Sequence, residues 1–219
     1  KQQGNFFNYI ITYSPHTPFT TEKEVGKILA EEKYGKGNVP KLSEEDCAKM
    51  AASETDNMVG LLIQALKDNG LYDNTVIVAY ADHYLYTLDD KSILDKYKET
   101  SNNLINHTPF FIWSSDLGQL TSISKVNMQM DILPTVLNLF GIDYNSNNYI
   151  GHDILSNDFK GYAFFSDYSW YDGKVYVENQ QITNGKKMSK NKLDSINNLI
   201  SDVIKKNDLT LKYDYFKSK

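Results

Sequence analysis

The chain has 219 residues, 41% of them hydrophobic, which is enough for one domain with a sizeable core. Its net charge of -5 and sequence pI near 5.4 argue against nucleic acid as the partner, because binding a phosphate backbone requires a basic face. No stretch approaches the ~20 consecutive apolar residues of a membrane span. The composition therefore favours a globular domain that acts on something other than nucleic acid.

The first predicted element is a largely buried strand over residues 6–13, which are rich in aromatic and β-branched side chains. It ends in the loop of residues 14–18, where two prolines exclude both a helix and a central strand. His16 lies in this loop, just beyond the predicted carboxyl end of the strand.

A helix is predicted to begin at Ser43, which opens a capping-box pattern, and to end near Gly70. Cys47, the single cysteine, occupies an apolar position of this helix, so we expect a buried thiol and no internal disulfide. The apolar run of residues 75–80 then shows no alternation, which indicates a strand covered on both faces. Residues 85–106 are polar and are expected to cross the surface.

A third strand is predicted over residues 110–113, and Asp131 is expected to cap a helix that runs to Phe140. This order of elements predicts an α/β fold with a mostly parallel sheet flanked by helices. After residue 160, Asp172-Gly173 indicates a hairpin and Asn184-Gly185 another turn, followed by an amphipathic closing helix. We therefore divide the chain into residues 1–160 and a C-terminal subregion, residues 161–219.

Asp82 and His83 directly follow the second strand, at the carboxyl end where open α/β sheets bind their ligands. Both side chains reach one ion only if the chain turns there. Oxygen and nitrogen ligands suit Mn²⁺, Zn²⁺ or Mg²⁺. The alternative is a surface aspartate beside a structural histidine, but the strand context favours a divalent-metal site.

The other histidines leave alternatives open. His16 could act as an acid, a base or a donor to a phosphate oxygen, or it could be a loop residue without a chemical role. His107 is either a metal ligand, a residue that supports a metal ligand, or a simple turn residue, and for His152 a structural role is favoured. The chain has no GxSxG, P-loop, GxGxxG or CxxC motif, so serine-triad, nucleotide-binding and zinc-finger functions have no support.

Four segments, read in order, resemble a known family over about residues 5–160, and the second of them, a GLYDNT-type turn followed by a strand and DHY, is the most specific. The segments are residues 11–19 (ITYSPHTPF), 70–84 (GLYDNTVIVAYADHY), 108–113 (TPFFIW) and 130–142 (MDILPTVLNLFGI). Together they resemble the lipoteichoic acid synthase-like phosphoglycerol transferases, in the sulfatase and alkaline-phosphatase superfamily.

The resemblance implies an alkaline-phosphatase-like fold in which Asp82 and His83 bind a catalytic divalent ion, usually Mn²⁺, with Mg²⁺ or Zn²⁺ as alternatives. It also implies that His16 contacts the glycerol phosphate. Pro15 stands where that loop commonly has asparagine, and Ala81 and Leu85 stand where glycine is frequent. These departures alter the loop and the rim of the site and leave the candidate ligands in place.

The family's nucleophilic threonine and a further metal-binding acid lie in a part of the domain that these residues do not include. The resemblance therefore implies the C-terminal part of a catalytic domain, inactive by itself and belonging to a larger protein. That protein would be anchored by upstream transmembrane helices on the extracellular face of the bacterial membrane. Its threonine would attack a phosphatidylglycerol-type lipid, and glycerol phosphate would pass to a growing polymer or a glycolipid acceptor.

Two alternatives remain at this point. One is a sulfatase, phosphatase or phosphodiesterase of the same superfamily, since Asp-His ligation is common to these enzymes. The other is a non-catalytic surface module that has kept the fold for binding a glycan or polymer. The identity of the nucleophile would distinguish the transferase from the other enzymes of the superfamily. Loss of both the nucleophile and the further metal-binding acid would indicate the binding module.

Overall fold

A computed structural model describes residues 4–217, and their contacts divide the chain into a first unit that runs to Leu120 and a second that starts at Thr121. The boundary predicted at residue 160 lies inside the second unit, and a subdivision there remains a prediction. None of the helices in residues 4–217 is both long and apolar enough to cross a bilayer. The helices and strands are α1 (Glu24–Tyr34), α2 (Glu44–Asp68), β1 (Val76–Tyr80), α3 (Ser92–Tyr97), β2 (Phe110–Ser114), α4 (Ile132–Leu139), β3 (Ala163–Phe164), β4 (Trp170–Tyr171), β5 (Val175–Glu178), β6 (Gln181–Gly185) and α5 (Lys190–Lys212).

Helix α2 begins and ends where the sequence predicted. The Ser43 hydroxyl accepts from the backbone N–H of Asp46, whose carboxylate accepts from the backbone N–H of Ser43, so the capping box is complete. At the other end Gly70 has φ +66°, and Leu71 N–H closes the helix by donating to Leu66 O at 2.9 Å. Cys47 is buried as predicted, and burial raises the pKa of its thiol.

The sheet of the first unit confirms two predicted strands and corrects their direction. β1 and β2 pair antiparallel, with Val78 opposite Ile112, whereas the sequence predicted mostly parallel pairing. An apolar run without alternation indicates two apolar faces, but it carries no information on the direction of the neighbouring strand. The α/β class therefore stands, and the sheet within the described residues is antiparallel.

Residues 6–13 are the predicted element that differs most from the structure. They form no strand and lie largely exposed, with Phe7 84% and Ile11 79% exposed. Apolar β-formers favour a strand, but a strand also needs a neighbour for its backbone hydrogen bonds, and in residues 4–217 this segment pairs with none. A side-chain contact does reach β1, since the hydroxyls of Tyr9 and Tyr80 are 3.2 Å apart.

The core of the first unit is built partly from residues 85–106, which were expected only to cross the surface. Leu88, Ile93 and Leu94 are buried together with Phe19 and Cys47 in one cluster, which also contains Ala51. The sequence did not indicate this contribution to the core, because the surrounding residues are polar and α3, with only six residues, is too short to show a clear helical period.

Glu44 and Glu45, at the start of α2, hold the chain that follows β1. The two carboxylate oxygens of Glu44 accept the backbone N–H groups of Asp89 and Asp90, each at 2.8 Å. Glu45 accepts from Lys49 at 2.7 Å, from Lys96 at 2.6 Å and from the Tyr97 hydroxyl. These bonds fix α3 and the preceding loop to the first turn of α2.

The Glu45 cluster makes the stability of the first unit depend on pH. Hydrogen bonds from Lys49 first, then from Lys96 and Tyr97, lower the pKa of Glu45 from 4.5 to about 2. Because the folded state holds the proton more weakly, this stabilisation is fully present above pH 4.5 and is lost as the pH falls to about 2. We expect Glu45→Gln to reduce the free energy of unfolding at pH 7, with the difference from wild type shrinking over that window in urea titrations.

The matched control for Glu45→Gln is Glu32→Gln, at an exposed glutamate of α1. This variant should track the wild type at every pH. A difference in unfolding free energy between wild type and Glu45→Gln that stayed constant from pH 4.5 to 2 would show that the charge of Glu45 contributes nothing to stability.

The second unit contains a four-stranded antiparallel sheet in the order β3-β4-β5-β6. The predicted hairpin at Asp172-Gly173 is present, joining β4 to β5, where the Asp172 carboxylate accepts from Lys174 and Val175 N–H. The turn predicted at Asn184-Gly185 is wrong, since both residues belong to β6. The chain turns instead at Asn179-Gln180, whose positive φ values supply the turn geometry.

Helix α5 covers this sheet with most of the predicted apolar stripe, whereas Leu199 of that stripe is 49% exposed. Ile196 and Ile200 are buried against Trp170, Val175 and Val177. The Trp170 indole N–H donates to Asn197 Oδ1 at 2.8 Å, so the most buried aromatic residue of the sheet is also bonded to the helix. The predicted closing helix is therefore part of the core of the second unit.

The prediction that the Asp131 side chain caps helix α4 is wrong. Helix α4 follows Asp131, whose side chain does not cap that helix. Its carboxylate instead accepts the backbone N–H groups of Met128 and His152, both at 2.8 Å. Burial is the main cause of a raised pKa for this carboxyl, and the two N–H donors partly oppose it. Gly151 packs so closely here that a Cβ would lie 1.8 Å from Met130 O.

Candidate functional site

Asp82 and His83 lie where the chain leaves β1. The Ala81 N–H still reaches Pro109 O at 3.2 Å, which extends the β1–β2 ladder by one bond, and the chain then bends. The His83 N–H donates to Asp82 Oδ1 at 2.9 Å, so the bend folds the carboxylate back towards its neighbour. Consecutive side chains of a strand point to opposite faces, and this bend is what brings the two together.

The hydrogen bonds of the His83 ring determine which nitrogen can bind a cation. Nδ1 is 2.8 Å from Tyr84 O, and because a carbonyl oxygen only accepts, Nδ1 carries the hydrogen. In the neutral ring Nε2 then holds a lone pair, and it lies 3.5 Å from Asp82 Oδ2. A lone pair facing a carboxylate oxygen is unfavourable unless a proton or a cation lies between them.

The spacing of these two atoms fits one shared metal ion. Metal–ligand bonds of about 2.0–2.2 Å at a tetrahedral angle place two donor atoms roughly 3.4 Å apart. A metal-ligating histidine typically donates its other ring N–H to a carbonyl or carboxylate, and the hydrogen bond from His83 Nδ1 to Tyr84 O has this arrangement. Within residues 4–217 no group of three His, Cys, Asp or Glu side chains that could hold a metal ion converges.

The segment after the pair is held in place by the core of the first unit. Tyr84 packs against the buried cluster and Leu88 lies inside it, while the ring of Tyr86 meets that of His83 edge-on at 4.7 Å. The Lys91 ammonium donates to the carbonyl oxygens of Tyr86 and Leu88. The candidate ligands are thus solvent-accessible, with 79% of the Asp82 and 43% of the His83 side chain exposed, on a segment that is tied down.

His16 lies exposed on its own loop. Its Nδ1 is 2.8 Å from Thr17 O, and its ring stacks on Tyr13 with centroids 5.5 Å apart and planes within 8°. Phe19, three residues further on, belongs to the same buried cluster as Leu88. The loop of His16 and the segment after Asp82-His83 therefore share one core.

The other two histidines lie elsewhere. His107 is exposed, its N–H donates to Leu104 O, and its carbonyl accepts from Lys98. His152 belongs to the second unit, where its backbone N–H donates to Asp131.

Glu44 and Tyr84 help to hold the candidate site in place, and neither was predicted from the sequence. No local pattern could have shown the role of Glu44, since its bonds span 45 and 46 residues.

The comparison with protein families gives the class. The sulfatase family profile matches residues 1–142, and the chain belongs to the sulfatase family. The matched region contains the β1–β2 sheet, the buried cluster of the first unit and all three candidate residues, His16, Asp82 and His83.

Particular relatives are lipoteichoic acid synthases. The chain is 31% identical to that of Staphylococcus saprophyticus, over 98% of this chain and 34% of the relative. It is 30% identical to that of Staphylococcus aureus strain USA300, over 80% of this chain and 28% of the relative. The chain thus spans about a third of the length of the curated relatives it matches.

A solved structure gives the fold. The crystal structure of the lipoteichoic acid synthase LtaP from Listeria monocytogenes matches 92% of this chain and 52% of its own, with a TM-score of 0.71 and 23% identity. The chain therefore has the alkaline-phosphatase-like α/β fold that the sequence predicted.

Proposed function

We propose that this chain is the C-terminal part of the catalytic domain of a metal-dependent phosphoglycerol transferase. In this proposal Asp82 and His83 are two ligands of a divalent ion, with Mn²⁺ preferred over Mg²⁺ or Zn²⁺. The reaction moves glycerol phosphate from a phosphatidylglycerol-type lipid to a glycerol-phosphate polymer or glycolipid acceptor. The family membership and the staphylococcal relatives support the reaction class.

One observation carries the proposal. His83 Nε2 lies 3.5 Å from Asp82 Oδ2, a distance suited to a shared ion, and the other ring nitrogen is already committed to Tyr84 O. A bound divalent ion would supply positive charge to stabilise the oxygens of the reacting phosphoryl group. The protein's part is to present an imidazole nitrogen and a carboxylate oxygen on a segment that Glu44 and Leu88 hold fixed.

His16 has a separate role in this proposal. With Nδ1 donating to Thr17 O, the exposed His16 ring has Nε2 as its second nitrogen, and this nitrogen would donate to a phosphate oxygen when it carries a hydrogen. Its ring is held by stacking on Tyr13, which limits the orientations that a bound phosphoglycerol would meet. We assign it to substrate binding, not to nucleophilic attack.

The proposal places the nucleophile, a threonine, in a longer protein that contains this chain. That protein would be anchored by transmembrane helices, with the catalytic domain on the extracellular face of a bacterial membrane. The threonine would attack the phosphodiester, form a glycerophosphoryl intermediate and release diacylglycerol. The present chain alone would bind the ion without completing the reaction.

The test uses that longer protein and vesicles containing phosphatidylglycerol. We expect release of diacylglycerol with Mn²⁺ present, and a rate lower by about a hundredfold or more in the His83→Ala variant. Losing a residue that only hydrogen-bonds a metal ligand typically costs about 10–100-fold, and losing the ligand itself should cost at least as much. His152→Ala, at an exposed histidine of the second unit, is the matched control and should keep full activity. Equal rates in the two variants would contradict the assignment of His83.

A second candidate function has support from the family match, since sulfatase-family membership also fits an ester hydrolase. The same preparation separates the two when it is assayed on an aryl sulfate and an aryl phosphate. Hydrolysis of either ester with no diacylglycerol release would favour the hydrolase. Failure on every substrate, with Mn²⁺ still bound, would favour the non-catalytic binding module.

A further inference from the structure

The distal end of α5 and the turn after it, residues 205–217, expose an unusual density of apolar side chains. We call this segment the 205–217 patch. Leu211 and Tyr213 are 72% and 70% exposed, well above what either would show if packed against the protein. The exposed large apolar residues of the patch are Leu209, Leu211, Tyr213, Tyr215 and Phe216. Scattered single apolar residues are normal on a surface, but a run of five exposed within eight positions is a patch. Residues 6–13 are a comparably exposed apolar stretch, but they carry no charged side chain.

The same segment is basic within an acidic chain. It contains four lysines, Lys205, Lys206, Lys212 and Lys217, against two aspartates, which gives a net charge of +2. The whole chain carries -5. All four lysines are exposed, and the Lys212 ammonium lies over the ring of Tyr213, 5.4 Å from its centroid. The positive charge and the exposed apolar groups therefore occupy the same segment.

The patch has a defined conformation. The Tyr213 N–H donates to Leu209 O and the Tyr215 N–H to Thr210 O, which folds the turn back onto the last turn of α5. The rings of Tyr215 and Phe216 meet edge-on at 5.1 Å, and Lys217 pairs with Asp214 at 3.4 Å. The exposed rings are thus presented by a folded turn.

We propose that the 205–217 patch is a contact site for an anionic lipid bilayer. Leucine, tyrosine and phenylalanine suit the boundary between headgroups and acyl chains, and lysines extend their charged ends to the headgroups while their stems lie along apolar surface. Charge complementarity selects an anionic surface. A soluble polyanion would use the lysines but would leave the exposed leucine and aromatic side chains in water.

This inference does not rest on the proposed transferase function. The patch lies in the second unit and contains none of His16, Asp82 and His83. Bilayer binding needs no metal ion and no nucleophile, so it can be measured in EDTA. Failure of vesicle binding and failure of the transferase proposal are therefore separate results.

The test is flotation of the full chain with vesicles, in EDTA and at low ionic strength. Vesicles of phosphatidylglycerol and phosphatidylcholine are compared with vesicles of phosphatidylcholine alone. We expect about tenfold or greater partitioning onto the anionic vesicles, since two net positive charges near such a surface contribute about that much, and a decline with added salt. Circular dichroism of each variant confirms that it is folded.

Two pairs of variants separate the contributions. The double variant Leu211→Ser/Phe216→Ser should lose binding about tenfold, and Leu117→Ser/Leu120→Ser, at exposed leucines of the first unit, should not. Lys212→Gln/Lys217→Gln should also weaken binding, in contrast to the exposed control pair Lys36→Gln/Lys41→Gln.

Three outcomes would overturn the proposal. The first is equal partitioning onto both kinds of vesicle, or none onto either. The second is full binding by Leu211→Ser/Phe216→Ser, which would leave only attraction to a polyanion. The third is self-association of the wild type in sedimentation equilibrium that the same double variant abolishes, which would make the patch an interface between copies of this chain.

Discussion

Replacing Trp170 by alanine is expected to lower the free energy of unfolding of the second unit by about 3–5 kcal/mol, the range for losing a large buried aromatic side chain. Trp170 is fully buried and packs against Val175, Ile196 and Ile200, so it joins the sheet to α5. The surrounding strands and helix can close only part of the cavity that alanine leaves. Urea titration followed by far-ultraviolet circular dichroism measures the change without relying on tryptophan fluorescence.

A second substitution separates packing from hydrogen bonding at this position. Trp170→Phe keeps part of the apolar volume and removes the indole N–H that donates to Asn197 at 2.8 Å. It should destabilise by less than alanine, with roughly 1 kcal/mol arising from the lost hydrogen bond. Leu117→Ala, at an exposed position, should be close to neutral. A loss under about 1 kcal/mol in Trp170→Ala would show that this core does not hold α5.

Features that depend on neighbouring residues were predictable. The capping box at Ser43 and the glycine at position 70 act within four or five residues of themselves, and both ends of α2 are where they indicated. The burial of Cys47 and the stripe on α5 follow from helical periodicity alone. In these elements local preference and the final packing agree.

Features set by partners distant in the chain were not predictable. The antiparallel direction of β1 and β2 depends on the path of the 29 residues that connect them. The composition of neither strand indicates that path. Residues 6–13 have the composition of a strand but no pairing neighbour among the described residues. The Asn179-Gln180 turn prevailed over Asn184-Gly185 because the register of β5 and β6 places the latter within the ladder.

The candidate site divides in the same way. Asp82-His83 was identifiable because both residues are adjacent and follow an apolar strand, and the structure adds the bend that brings their side chains together. Asp131 also follows a recognisable helix signal, but its carboxylate binds the backbone of His152, 21 residues away. Local sequence thus indicated which residues could act and left open what holds them.

Removing either candidate ligand is expected to weaken Mn²⁺ binding to the chain by about a hundredfold or more, or roughly 2.7 kcal/mol. Asp82→Ala removes the anionic oxygen, and His83→Ala removes the lone pair of Nε2. Asp116→Ala, at an exposed aspartate of the same unit, is the matched control for charge and should bind as the wild type does. Isothermal titration calorimetry gives the affinities, and equal weakening in all three variants would indicate only a general effect of charge.

The most direct measurement is paramagnetic broadening of the histidine ring signals by substoichiometric Mn²⁺ in nuclear magnetic resonance spectra. The chain has four histidines, which can be observed in one sample. If Asp82 and His83 share the ion, the ring signals of His83 broaden first, those of His107 and His152 persist, and Asp82→Ala removes the broadening at His83. Uniform broadening of all four rings, or broadening of His107 or His152 ahead of His83, would contradict a metal centre at this pair.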